Sequence, residues 1–323
     1  MDNPRSTLLG WTEQGHLAPE ALYPAMVASG ALPSRPAWQH GIDRLLLWAG
    51  TLFLAASLVF FLAYNWQDLG HYAKFALAEG AVLLALAGVW HQGLERPGGK
   101  AALLGASLAL GALLALVGQT YQTGADTYEL FASWALMLLP WVLLGRCAPL
   151  WLLWLLLVNL AIVLYFQLFP GRFLGRLLGA EQQLWLLFAW NTLAQLLWEL
   201  AARHGITWLQ PRWGARLLAC AGGAMITALA VLQVTDWHGT SVLALPVWLL
   251  WLAACGWIYR RRQKDLFMLA GGALSLILVV SSFFVDWLSF RHGSGFLLVG
   301  LLVIGLSAAA GWWLKRVAAE EAP

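Results

Sequence analysis

Residues 44–90 constrain the fold more than any other part of the chain. They contain two apolar segments, 45–64 and 73–90, which are separated by a short polar turn at 65–72. Each segment approaches the roughly 20 apolar residues that a helix needs to cross the ~30 Å hydrocarbon core of a bilayer. A hairpin of this kind does not suit the core of a soluble domain, so we expect two membrane-spanning helices.

The rest of the chain repeats this pattern. Of all residues, 61% are hydrophobic and 11% are charged, whereas soluble domains carry roughly 25% charged residues. Further apolar segments follow at 101–117, 131–144, 150–169, 184–201, 215–234, 242–259, 266–285 and 296–314. The sequence therefore predicts an all-α, polytopic transmembrane helical bundle of about ten spans in contact with the lipid bilayer.

The distribution of basic residues predicts the orientation of these spans. With a cytosolic N-terminus, all but four of the 19 Lys and Arg residues fall on the cytosolic side, and the exceptions are Lys74, Arg172, Arg176 and Arg291. Cytosolic loops of membrane proteins are enriched in Lys and Arg. We therefore predict an even number of spans, with the N and C termini both in the cytosol.

The same pattern predicts four regions. Residues 1–43 are polar enough for a short cytosolic module of two helices and a linker, or for a solvated leader on the membrane surface. Residues 44–145 form an N-terminal four-span unit, 146–316 form a six-span C-terminal unit, and 317–323 form a cytosolic tail. The module offers a surface for a protein partner.

Three outward-running spans share a recurring signature. Each has a glycine near its start and a polar residue followed by tryptophan at its outer end. The pairs are Gly50 with Asn65-Trp66, Gly222 with Asp236-Trp237, and Gly271 with Asp286-Trp287. One interpretation is a repeated helical hairpin, in which small residues allow close helix packing. The other is that outward helices commonly end in a polar residue and an interfacial tryptophan.

Glu79 is the most informative polar residue because it lies about two turns inside the second span. Ionisable side chains within a membrane are costly and are often functional. Glu79 is interpreted either as a protonatable carboxylate that lines an outward-facing cavity or as a buried neutral group that serves helix packing.

Polar and aromatic residues of the outer loops would surround Glu79 if those loops pack together. The candidate ligand-binding residues are Glu79, Asn65, Asp68, Gln119, Tyr121 and Asp126. Such a surface suits a polyhydroxylated or cationic small molecule, or a partner protein. The alternative is that these are ordinary solvated loops with interfacial aromatic residues.

A second polar set lies within the spans of the C-terminal unit. Asn191, Gln195 and Glu199 follow one another at four-residue spacing, which places them on one helix face. We expect this face to contact protein rather than lipid and to form interhelical hydrogen bonds with Asn159.

Motifs of known chemistry are absent from the sequence. It contains no HExxH, P-loop, dinucleotide fingerprint or GxSxG motif. Its cysteines, Cys147, Cys220 and Cys255, are not closely spaced. We therefore predict no catalytic residues, metal site, cofactor or nucleic-acid partner, and the chain is not expected to be an enzyme. The tract Arg260-Arg261-Arg262 indicates either an orientation determinant or a site for a lipid headgroup.

Three motifs carry a resemblance to a known family: LLGWTEQGHLAPEAL, FFLAYNW and GQTYQTGADTYELFASWALMLLPW. Over residues 7–145 the chain resembles a bacterial family of predicted membrane proteins, catalogued as domain of unknown function 2157. The resemblance implies a short cytosolic helical start, many spans and a location in the bacterial inner (cytoplasmic) membrane. It implies no activity and no functional residue.

Two functions are consistent with these patterns. The first is a permease, flippase or sensor that engages a small molecule or lipid headgroup at the outer face near Glu79. The second is a non-transporting assembly or scaffold protein whose N-terminal module recruits a partner.

Overall fold

The computed structural model describes residues 4–169, 181–235, 242–287 and 294–320, and these residues contain helices but no strands. The helices are α1 (Pro4–Glu13), α2 (Pro19–Ala28), α3 (Arg35–Tyr64), α4 (His71–Gln92), α5 (Pro97–Tyr121), α6 (Thr127–Gly145), α7 (Ala148–Leu168), α8 (Gln182–Arg203), α9 (Trp213–Thr235), α10 (Ala244–Trp257), α11 (Leu266–Trp287) and α12 (Ser294–Ala319). A 3₁₀ turn at Thr207–Leu209 precedes α9, and α10 continues into a π-helical turn at Ile258–Arg262.

Among the described residues, 8 helices are long and apolar enough to cross a membrane: α3, α4, α5, α6, α7, α9, α11 and α12. The other two predicted spans coincide with α8 and α10. Polar residues and tryptophans lower the hydropathy of α8, and α10 has only 14 residues. The chain is therefore an all-helical membrane protein with several apolar helices, as its composition predicts.

Local sequence explains where the opening hairpin begins and ends. The Ser34 hydroxyl accepts a hydrogen bond from the Ala37 amide at the N-terminus of α3, as an N-cap residue should. At the other end, the Asn65 side chain donates to the Phe61 carbonyl at 2.9 Å. The same carbonyl also accepts the Asn65 backbone amide at 3.1 Å, so the main chain and the side chain of Asn65 both bond to the last turn of α3. Gly70 then precedes α4.

The first two helices pack against each other. Leu8 and Met26 are buried, and Gly15, with φ of 74°, allows the turn that joins the helices. Two aromatic side chains of this pair, Trp11 and Tyr23, are exposed.

The chain forms two compact units. The first extends to Asp126 and includes Leu136–Gly145 and Glu320, and the second comprises Thr127–Ala135 and the chain from Arg146 to Ala319. In the first unit, α5 packs against α3 and α4. A Cβ at Gly105 would come within 3.3 Å of Thr51, so a small residue keeps α5 close to α3.

In the second unit, α9 is central and packs against α7, α8, α10 and α11, while α12 packs against α11. One part of its core includes Trp198, Leu218 and Val317, and another includes Ile226 and Trp248.

The recurring glycine signature has no common packing role in the structure. A Cβ at Gly222 would come within 3.2 Å of Thr192, whereas a Cβ at Gly50 or Gly271 would meet open space. Asp236-Trp237 lies outside the described residues. The internal repeat therefore stays a prediction.

Candidate functional site

The six candidate ligand-binding residues all belong to the first unit, and most of them lie on its surface. Asn65 is half-buried and caps α3, while Glu79, Asp68, Gln119, Tyr121 and Asp126 are exposed. Because Glu79 is exposed along α4, the structure does not place it in a packed helix interface of this chain.

Aromatic side chains pack together where the C-terminal ends of α3 and α5 meet the N-terminal end of α4. Lys74 is buried, and its Nζ lies 3.8 Å from the centre of the Trp66 ring. Tyr121 contacts Phe75 with a ring separation of 6.0 Å. The ammonium group of Lys74 thus pairs with an aromatic face.

The predicted polar face of α8 is confirmed. Asn191 is buried and exchanges two hydrogen bonds with Asn159 of α7, at 2.6 and 3.2 Å. Each asparagine also donates to the carbonyl four residues earlier in its own helix. The pair therefore joins α7 to α8 within an otherwise apolar environment.

Toward the end of α8, the same face forms a second network. Gln195 Nε2 donates to the Tyr259 hydroxyl at 2.8 Å, and that hydroxyl donates to Glu199. Arg203 lies 3.7 Å from the other Glu199 oxygen and donates to Gln263 at 3.3 Å. Tyr259 lies in the π-helical turn after α10. Its hydrogen bonds to Gln195 and Glu199 therefore hold this turn against α8.

An aspartate and two arginines close the adjacent end of the unit. The Asp265 side chain is fully buried and accepts two hydrogen bonds from Arg216, at 3.1 and 3.2 Å. Arg212 Nε lies 2.6 Å from the same carboxylate. Burial alone would raise the pKa of Asp265, but the Arg216 hydrogen bond and both arginine charges outweigh it and lower that pKa.

A groove of about 540 Å³ runs along α9 and α11. Small residues form much of its wall: Ala219, Gly223, Ala224, Ala228, Gly271 and Gly272. Its lining extends from Phe267 to Ser282 on α11, which at 1.5 Å per residue is about 20 Å. Leu274 and Leu278 are exposed at its rim, so the groove opens on the outside of the unit.

The polar atoms of the groove are largely paired with each other. Thr227 and Ser275 share a hydrogen bond of 2.6 Å, and the Trp248 indole donates to Ser275 at 2.9 Å. Tyr259 contributes to the wall, while its hydroxyl is bonded to Gln195 and Glu199. The surface left for an occupant is therefore mostly apolar.

The sequence did not indicate the groove, the Tyr259 network or the Asp265 cluster. For α9 and α11, the sequence predicts close helix packing at Gly222 and Gly271 and no ligand site. A signal for Asp265 was present, since it is a lone acid close to a strongly basic tract. Its partners, however, lie about 50 residues earlier, and sequence spacing does not identify such contacts.

We expect Asn191→Ala to lower the free energy of unfolding by about 1 kcal/mol, because interhelical hydrogen bonds in membranes contribute about that much. Unfolding in mixed micelles measures the change. A double-mutant cycle with Asn159→Ala should give a coupling energy of about 0.5–1.5 kcal/mol. Strictly additive effects would contradict a direct contact between the two side chains.

Comparison with known proteins relates the first part of the chain to one family. Residues 9–151 match the family model described as "Predicted membrane protein (DUF2157)". No curated protein and no solved structure matches the chain. The match covers α2 to α6, whereas the groove residues, from Ala219 to Ser282, lie beyond its end. The family resemblance of the sequence motifs is thereby confirmed: residues 9–151 match the model of the predicted membrane protein family DUF2157.

Proposed function

We propose that the protein is a multi-pass protein of the bacterial inner membrane that binds a phospholipid in the groove between α9 and α11. It would act as a lipid-handling protein or as a lipid sensor. The observation that carries this proposal is the groove itself, which is long, apolar and open toward the surface of membrane-crossing helices.

In this proposal the protein has ten membrane spans, and its N and C termini are both cytosolic. α8 has 22 residues and is therefore about 33 Å long. Together with its π-helical turn, α10 is about 28 Å long. Both lengths are close to the ~30 Å of the hydrocarbon core. Counting both as spans places all but four of the 19 Lys and Arg residues on one side, in agreement with the positive-inside rule.

The size of the groove favours an acyl chain over a protein helix. The groove has a volume of about 540 Å³ over a length of about 20 Å, so it is narrow. A flexible hydrocarbon chain can follow such a narrow space. Few polar atoms of the groove wall lack a hydrogen-bond partner. The groove therefore suits the hydrocarbon part of a ligand, which has no hydrogen-bonding groups.

Charge at one end of the groove favours an anionic headgroup. Phe267 lines the groove, and the Arg216 guanidinium lies 5.4 Å from the centre of its ring. The Arg216 side chain is 40% exposed despite its bond to Asp265. Basic residues at the cytosolic surface attract anionic lipids. The headgroup would thus lie beside Arg216, with one chain extending outward along α11.

Lipid retention tests this function. After purification and an exhaustive detergent wash, the protein should keep about one phospholipid per chain, and native mass spectrometry can count it. Anionic phospholipids should be enriched over their share of the source membrane. Recovery of a lipid-free protein whose fold is intact would contradict the proposal.

The outer ends of α3 to α5 provide a second ligand surface in this account, with Glu79, Asn65, Asp68, Gln119, Tyr121 and Asp126 as its candidate residues. Exposure of Glu79 on an apolar helix supports it, because a carboxylate at that depth is costly against lipid tails. If protonation of Glu79 matters, Glu79→Gln should abolish function in cells while protein levels stay normal. Normal function in both Glu79→Gln and Glu79→Leu cells would eliminate this site.

A scaffold role is the second candidate function, and the exposed aromatic residues Trp11 and Tyr23 favour it. Exposed aromatic side chains are enriched at protein interfaces. A chain lacking residues 1–40 distinguishes the two functions. It should retain the groove lipid in either case, but it should lose function in cells only if the N-terminal helices recruit a partner.

A further inference from the structure

A small polar cleft lies at the basic end of the second unit, separate from the groove. Its volume is about 130 Å³, and residues of α8, the 3₁₀ turn, the start of α9 and the loop before α11 line it. Its polar lining residues are Glu199, Arg203, Gln210, Arg212 and Gln263. Tyr259 separates the cleft from the groove, since its ring lines the groove and its hydroxyl bonds to Glu199.

Arg212 has donors that its protein partners do not satisfy. Its Nε pairs with Asp265, but that carboxylate already accepts both hydrogen bonds of Arg216 and one from the Phe267 amide. Arg212 Nη2 is enclosed and has no hydrogen-bond partner within the described part of the chain. An enclosed guanidinium donor without an acceptor is unfavourable, so an oxygen-bearing group is expected beside it.

The charges around the cleft favour an anion as that group. Three guanidinium groups, on Arg203, Arg212 and Arg216, face only two carboxylates, on Glu199 and Asp265. Glu199 is on the cleft wall and would repel an anion, but one of its oxygens accepts the Tyr259 hydroxyl and the other pairs with Arg203. The remaining charge of the cluster is therefore positive.

The size of the cleft restricts the ligand to a small group. Pockets for drug-sized molecules and cofactors usually have volumes of about 300–1,000 Å³, well above the 130 Å³ found here. Arginine side chains bind phosphate oxygens with short, charge-assisted hydrogen bonds. We infer that the cleft binds a single phosphate group through Arg212 and Arg203, either as dissolved phosphate or as the headgroup of a cytosolic-leaflet phospholipid.

Binding can be measured on the full-length protein in nanodiscs. In one arm the discs contain only phosphatidylcholine, and inorganic phosphate is titrated against chloride at equal ionic strength. In the other arm, phosphatidic acid replaces part of the phosphatidylcholine without added phosphate. Thermal stability and calorimetry provide the readouts. A response in the first arm identifies dissolved phosphate as a ligand. A response in the second arm alone, if it persists in Gly271→Trp, identifies a headgroup in the cleft.

Three variants make this test specific. Arg203→Gln removes one donor group, and Arg212→Lys keeps the charge beside Asp265 while losing the second guanidinium nitrogen. Each should weaken binding about tenfold or more. Arg261→Gln removes an exposed arginine outside the cleft and should change affinity less than twofold. Gly271→Trp, which fills the groove, should leave phosphate binding intact. The phosphate proposal and the groove proposal can therefore be tested independently.

The inference is overturned if neither arm gives a response beyond that of matched chloride and neutral lipid. It is also overturned if Arg261→Gln weakens binding as much as Arg203→Gln, because the effect would then reflect general surface charge.

Discussion

Replacing Asp265 by asparagine is expected to lower the free energy of unfolding by about 2–4 kcal/mol, the largest loss among the substitutions considered. Removing one partner of a buried ion pair typically costs about 3–5 kcal/mol. The range here is reduced because the Arg212 and Arg216 side chains are 26% and 40% exposed, and water screens exposed charges. Chemical or thermal unfolding in nanodiscs measures the difference.

Asp286→Asn is the matched control, since it makes the same chemical change at an exposed aspartate in the last turn of α11. It should alter the free energy of unfolding by less than about 0.5 kcal/mol. Equal effects of the two substitutions would contradict the role of Asp265 as the shared partner of both arginines.

The contribution of the Asp265 ion pairs to stability should also depend on pH. The pKa of Asp265 is lowered in the folded protein, so its contribution to stability is complete above the ordinary aspartate pKa of about 4. It is lost as the pH falls through the lowered value, when the folded state takes up the proton. The stability difference between wild type and Asp265→Asn should therefore be constant near neutral pH and shrink progressively below about pH 4.

Filling the groove should reduce phospholipid retention at least about tenfold, which is the second large effect. Gly271 lines the groove, and a Cβ at this position would meet open space. The indole of Gly271→Trp would thus occupy the groove rather than disrupt the helix packing. Lipid tails are as apolar as the groove wall, so binding depends on close packing and headgroup pairing. Loss of about 1.4 kcal/mol of such contacts gives the tenfold change.

Stability measurements separate this effect from unfolding. Glycine in a helix is less favourable than other residues by up to about 1 kcal/mol, so Gly271→Trp should be as stable as wild type or more stable. Gly305→Trp on α12 is the control, because that glycine also has open space beside it and lies outside the groove. Equal lipid retention by the two variants would contradict binding in the groove.

The sequence predicted those features that depend on local pattern. Ten apolar segments indicated helices, and all ten fall on helices of the structure. The four-residue spacing of Asn191, Gln195 and Glu199 predicted a face in contact with protein, and Asn159 was identified as its partner. In an apolar environment, few other groups can satisfy an asparagine side chain, so this pairing was well constrained.

The remaining features depend on contacts between distant segments. The groove forms only where Gly223 and Ala224 of α9 lie beside Gly271 and Gly272 of α11, and small residues occur throughout such spans. Tyr259 becomes part of the polar network because a π-helical turn follows α10. The hydrophobic pattern predicts the helices around Glu79. It does not establish which side of α4 is covered by other helices.

Site-specific photo-crosslinking in the native membrane tests the groove proposal most directly. A diazirine amino acid of leucine size at Leu278 would lie at the groove rim, and the same residue at Leu301 on α12 would provide an exposed control. We predict a phospholipid adduct at Leu278 that persists when the membrane is diluted with competing lipid, and only weak, easily competed labelling at Leu301. Equal labelling at the two positions, or an adduct with a second protein chain at Leu278, would contradict the account.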